Sequence, residues 1–187
     1  MTTLLSEKIR AFIAVRPGSK AQGELARVQR ELRKSLSVSN LRVKWSNPET
    51  FHVTLLFLGD IPAVDVPPVF QTLEKTAAEF PQFGISLGPP GIFKKSGAFW
   101  VGICPSPELV ECQKALAEAL EREPGRFHAH FTLGRIKTGR ANQAFLRILE
   151  QTAVESIPFK IGSVELVQSE LMSDGARHTV LGTAEFA

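Results

Sequence analysis

Apolar residues recur with two different periods along this chain, and the switches between them mark out its elements. Residues 9–15 (Ile-Arg-Ala-Phe-Ile-Ala-Val) read as a strand that ends at the turn Arg16-Pro17-Gly18. Leu25, Val28, Leu32 and Leu36 then follow at the spacing of one helix face, with Ser19 placed to cap its start. Residues 42–45 read as a short strand, 46–50 as a turn, and 51–58 as a longer strand closed by Gly59-Asp60. A second helix has Asp65 at its cap, Pro67-Pro68 in its first turn, and Phe70, Leu73 and Ala77 on its apolar side.

The rest of the chain resembles this in kind. Residues 83–87 and 98–104 read as strands, separated by a Gly-Pro-Pro-Gly and Lys-Lys-Ser-Gly region expected to be an exposed loop. Ser106-Pro107 is a helix start, a hydroxyl cap followed by Pro, and that helix should continue to Arg122 and stop at Pro124-Gly125. Residues 130–136 form a strand, 141–154 a helix, and 159–167 and 178–186 two closing strands, with a hairpin turn in Met172-Ser173-Asp174-Gly175. Strand pairs separated by helices, rather than strict alternation, predict an α+β fold with largely antiparallel sheets. No linker of disordered composition divides the chain, so residues 1–187 are expected to pack as one two-lobed domain.

Composition adds limits. With 187 residues, 43% of them hydrophobic, the chain can build a proper core. No apolar run approaches the roughly 20 residues of a membrane span, so no membrane association is expected. Met1 to Lys8 lacks a basic segment followed by an apolar one, which argues against secretion. Cys104 and Cys112 fall on a strand and a helix, without the spacing of a disulfide framework or a zinc site, and a reducing cytoplasm is the simplest setting. The net charge of +3 suits an anionic ligand without specifying nucleic acid. Basic residues concentrate at Arg27, Arg30, Arg33 and Lys34, which read as a solvated helix face, and at Lys94-Lys95, which can steer RNA or simply be solvated. A third group, Arg135, Lys137 and Arg140, directly follows a strand that carries chemistry.

That chemistry lies in two repeated tetrapeptides, His52-Val53-Thr54-Leu55 and His130-Phe131-Thr132-Leu133, which use two of only four histidines. In a strand, residues i and i+2 share a face, so each repeat aims an imidazole and a hydroxyl at one point while Val53 or Phe131 and the Leu face a core. The motifs lie 78 residues apart, near half the chain, which points to duplicated lobes. Splitting a phosphodiester needs a group that takes a proton from the nucleophile, a group that gives one to the leaving oxygen, and donors for the non-bridging oxygens. Imidazole suits both proton roles, with an unperturbed pKa of about 6.5. One histidine must start neutral and the other cationic, which predicts a bell-shaped rate profile. Thr54 and Thr132 supply the hydroxyls, and β-branching restricts their rotamers. The alternative is two half-buried histidines merely satisfied by neighbouring hydroxyls.

The paired motifs resemble those of the two-histidine phosphoesterase superfamily, specifically the RNA 2′,3′-cyclic phosphodiesterases, also called LigT-like or 2′-5′ RNA ligases. The likeness extends along the chain through Arg10-Ala11-Phe12-Ile13-Ala14-Val15, the stretch from Trp45 to Gly59, Phe99-Trp100-Val101-Gly102-Ile103, and Val164 to Leu171. The resemblance implies a bilobal α+β fold, sheets flanked by helices, with the active-site cleft between the lobes. It also implies metal-independent opening of an RNA or nucleotide 2′,3′-cyclic phosphate to a 2′-phosphate, with no cofactor. By position His52 then protonates the departing 3′ oxygen, His130 activates water, and Thr54 and Thr132 hold the phosphate. The expected partners are RNA ends or small nucleotides bearing that group, met by a cytoplasmic monomer. Two alternatives use the same residues: a 2′-5′ RNA ligase, and a nucleotide-binding module that does not cleave.

The family often has Pro before the second motif histidine, where this chain has Ala129. Arg135 is five residues beyond His130, so strict alternation puts it on the opposite face; a bulge at Gly134 would return it to the cleft and to substrate, the alternative being a surface ion pair. His128 shares a face with His130 and reads as a rim residue that modulates its neighbour; a three-histidine metal site with His52 leaves the two threonines without a role. His178 reads as structural or exposed, and Phe12 either as a core residue or as a ring that stacks a nucleobase.

Overall fold

The computed structural model describes residues 7–37, 41–138, 141–172 and 176–187. Two antiparallel sheets make up its framework, and helices cover their outer faces. One sheet has the order β3 (Val53–Pro62), β1 (Lys8–Val15), β8 (Ser163–Leu171), β9 (Ala176–Glu185). The other has the order β2 (Arg42–Trp45), β6 (His130–Thr138), β5 (Ala98–Ile103), β4 (Phe83–Phe93), β7 (Pro158–Ile161). Each sheet therefore draws on both halves of the chain. The motif spacing suggests two sequential lobes, but β2 crosses to the second sheet and β8 and β9 return to the first.

The helices cross over in the same way. Helix α1 (Ser19–Leu36) and α4 (Gln143–Gln151) pack on the five-stranded sheet, while α2 (Val66–Ala77) and α3 (Pro107–Ala119) pack on the four-stranded one. The face of α1 is the one its spacing predicts: Leu25, Val28, Leu32 and Leu36 are all buried. Its cap is Gly18 rather than Ser19, and Asp65 stands at the start of α2 without a side-chain capping bond. Ser106 does cap α3, accepting from the Leu109 amide at 3.2 Å, and Asn142 caps α4 through the Phe145 amide at 2.9 Å. Helix α3 ends at Ala119, before Arg122. Among the described residues no helix is long and apolar enough to cross a membrane.

Two sequence expectations fail here for physical reasons. The Gly-Pro-Pro-Gly segment is strand, not loop: β4 runs on to Phe93, and an irregularity between Leu87 and Pro90 absorbs the residues that cannot keep the ladder. Gly91 is required there, because a Cβ would overlap the Trp100 ring laid across it. Only the turn around Lys94 and Lys95 remains exposed. The stretch 159–167, read as one strand, divides at Gly162 into β7 and β8, since the chain must leave one sheet for the other. Three residues of the expected hairpin turn, 173–175, and Arg140 lie outside the described residues.

Candidate active site

His52 stands one residue before β3, and His130 is the first residue of β6. Val53, Leu55, Phe131 and Leu133 are buried in the core, which turns each His–Thr pair to the other face. The two faces meet at one cavity of about 850 Å³ lined by His52, Thr54, His130, Thr132 and Arg135. The five residues singled out by sequence are thus brought together.

Both imidazoles are held in the same manner. His52 Nδ1 donates to the Thr50 carbonyl at 2.8 Å, and His130 Nδ1 donates to the His128 carbonyl at 2.6 Å. In each case the acceptor lies two residues upstream. A carbonyl only accepts, so Nδ1 carries the hydrogen and Nε2 is left free for proton transfer.

The surroundings are also paired. Phe12 stacks on His52 with ring centroids 4.9 Å apart, and His178 meets His52 edge-on at 5.2 Å. Phe93 meets His130 edge-on at 4.9 Å, and the His128 ring lies 5.8 Å from it. Each motif histidine therefore has an aromatic support and a second histidine beside it. Phe12 is 4% exposed and its face is occupied by His52, in keeping with a packing role. His178, expected to be structural or exposed, is half-buried and lines the cavity with His52. Nothing in its spacing marks it; it arrives because β9 pairs with β8, which sets His178 opposite Ser169 and close to Phe12. His128 is exposed and lines a separate pocket of about 240 Å³ with Trp100 and Ala129. Among the described residues no three His, Cys, Asp or Glu side chains gather as a metal-ligating group.

Burial sets the electrostatics. It pushes the His52 pKa down to about 4; the bond to Thr50 opposes this, while His178, Arg16 and His130 add to it. His130 is also lowered, by burial first and by His128 second, against its bond to the His128 carbonyl. Burial and Arg16 lower His178. Arg16 is fixed by an ion pair with Glu165 at 2.7 Å. Without a ligand, then, the site favours neutral imidazoles. A phosphate anion between them would favour the cationic form of whichever it touches.

Arg135 reaches the cavity through a bulge. Trp100 pairs with Thr132 but Phe99 pairs with Gly134, so Leu133 is an extra residue on β6. Leu133 stays in the core and Arg135 returns to the side of Thr132, as the glycine suggests. Gly134 is needed because a Cβ would stand 2.6 Å from Phe99 Cζ and 3.0 Å from the Lys44 carbonyl. The buried Gln29 amide secures this turn of chain, donating to the Leu133 and Ser46 carbonyls at 2.8 Å each. Gln29 carries no chemistry that sequence could flag, yet it helps shape the wall of the site.

Comparison with known proteins agrees with this geometry. Residues 52–171 match the model of the 2′-5′ RNA ligase superfamily. A protein of Aeropyrum pernix named RNA 2′,3′-cyclic phosphodiesterase is 31% identical over 170 residues, which cover 85% of this chain and 93% of that protein. One of the same name from Geobacillus stearothermophilus is 31% identical over 140 residues, 70% of this chain, and the match spans 43% of that relative's length. The crystal structure of the Thermus thermophilus protein TT0787 has the same fold, with a TM-score of 0.80 at 23% identity, over 95% of this chain and 98% of that one. Since the family model covers well over half of its length, both motifs included, the chain belongs to the 2′-5′ RNA ligase superfamily.

Proposed function

We propose that this protein hydrolyses the 2′,3′-cyclic phosphate of RNA ends or small nucleotides to a 2′-phosphate, without a metal. One observation carries the reading: two histidines, each with Nδ1 tied to the carbonyl two residues upstream, share a cavity with two threonines. His130 Nε2 takes a proton from water as the water oxygen forms its bond to phosphorus. The bond from phosphorus to the 3′ oxygen breaks, and His52 gives that oxygen its proton. Thr54, Thr132 and Arg135 donate to the phosphate oxygens, where charge builds up. The bound anion raises the pKa of His52, so the acid is charged when substrate is present. The relatives' name for their activity supports the choice of substrate. All five residues come from one chain, which supports a monomer as the acting form, and both motifs then work within one two-lobed domain.

The test is incubation with a 2′,3′-cyclic-phosphate oligonucleotide in EDTA, with and without a 5′-hydroxyl acceptor. The reading expects a 2′-phosphate end. A 3′-phosphate product would reverse the leaving oxygen, and loss of turnover in EDTA would bring back a metal. Joined product would favour the ligase direction, and binding without product a non-catalytic module.

A further inference from the structure

Beyond the five site residues, one wall of the cavity carries cations that form no ion pair with a carboxylate among the described residues. Lys44 on β2 is the direct cross-strand partner of Arg135 on β6, and both line the cavity together with Lys137. Like charges directly opposite each other in a sheet repel. Among the described residues, the carboxylates that form ion pairs are Glu24, Glu31, Glu165 and Glu170, and their partners are Arg27, Arg16 and Arg177. None of them meets Lys44, Arg135 or Lys137.

An irregularity of β6, the bulge at Leu133, aims Arg135 at the cavity, and the strand period then puts Lys137, two residues on, on the same face. The result is a cationic line that starts beside Thr132 and runs along β6. At about 3.3 Å per residue, Lys137 lies about 16 Å beyond Thr132, and about 7 Å beyond Arg135. The step from Arg135 to Lys137 matches successive phosphates of an extended single strand. A 2′,3′-cyclic phosphate closes an RNA chain at its 3′ end, so all further phosphates lie to one side of it. The cavity of about 850 Å³ is also large for a mononucleotide, being near the top of the range of roughly 300–1,000 Å³ for small-ligand sites.

We infer that Lys44 and Lys137, continuing from Arg135, form a track for the phosphates upstream of the reacting end, so that the substrate is an RNA oligonucleotide and not a mononucleotide. This rests on the cyclic-phosphate reading for the placement of the reacting end. A phosphodiester backbone on the track relieves the repulsion between Lys44 and Arg135. Its affinity falls with salt, as counterion release requires.

The experiment measures Kd for a mononucleotide and a trinucleotide, each ending in a 2′-phosphate, and kcat/KM for the corresponding cyclic phosphates. In the wild type the trinucleotide should be favoured by about tenfold or more per added phosphate contact at low salt. The ratio of trinucleotide to mononucleotide affinity should fall about tenfold in Lys44→Ala and further in the Lys44→Ala, Lys137→Ala pair. Lys137→Arg should keep it, and so should Lys114→Ala, which lies on the exposed side of α3. Length-independent binding in the wild type, or an undiminished ratio in the double variant, overturns the track. Length-dependent binding with no turnover of either cyclic phosphate leaves the track standing and removes the proposed reaction.

Discussion

Phe12 lies nearly flat against the imidazole of His52, with ring centroids 4.9 Å apart and planes 29° from parallel. The two come from adjacent strands: Phe12 is on β1, and His52 directly precedes β3. With Nδ1 tied to Thr50 and one ring face covered, His52 has little rotational freedom left. Orientation of this kind is worth more in the transition state than in substrate binding.

Phe12→Leu keeps the site apolar but removes the flat support. We expect kcat to fall by about tenfold with KM nearly unchanged. Steady-state kinetics on a cyclic-phosphate oligonucleotide checks this. A change in KM alone would show that Phe12 serves binding and not the aim of His52.

The pH profile follows from burial. The free protein must have one histidine charged and one neutral, and both motif pKa values lie below the ordinary 6.5, with His52 near 4. The maximum of kcat/KM should therefore fall on the acid side of pH 6.5, and activity should decline at higher pH as His52 loses its proton. His178 and Arg16 both oppose a charge on His52. In His178→Gln one of these is gone, so the His52 pKa should rise and a larger fraction of its acid form should survive at a given pH above the maximum. An NMR titration of the His52 ring reads the shift directly. No shift, or a downward one, would contradict the assignment of His178 to the electrostatics of His52.

Gly134→Ala tests the bulge. Its methyl group would press on the Phe99 ring and the Lys44 carbonyl, and overpacking of this kind costs about 1–3 kcal/mol. Because the same residue precedes Arg135, activity should fall more than the loss of folded protein explains. Urea unfolding beside kinetics separates the two effects. A variant as stable and as active as the wild type would mean that the bulge is not needed.

The site was legible in the sequence where chemistry and strand period coincide. His52-x-Thr54 and His130-x-Thr132 need only the alternation of a strand to converge, and the burial of Val53, Leu55, Phe131 and Leu133 follows from the same period. His178 was not legible, because its place beside His52 depends on a long-range pairing of β8 with β1 and β9. Trp100, which sits beside both His128 and His130, was visible only as a strand residue. The strand through Pro89 and Pro90 defied a sound local rule, since a bulge admits what a regular ladder excludes. The exchange of strands between the two sheets has no local signature at all.

The most direct measurement is the single-turnover rate on a 2′,3′-cyclic-phosphate oligonucleotide in EDTA for the wild type, His52→Ala and His130→Ala. General acid or base catalysis by one group contributes about 10²- to 10⁴-fold. Each variant should lose at least about a hundredfold, and the double variant should lose little more than the worse single one, because the pair acts as a unit. Turnover undiminished in either single variant would contradict the account.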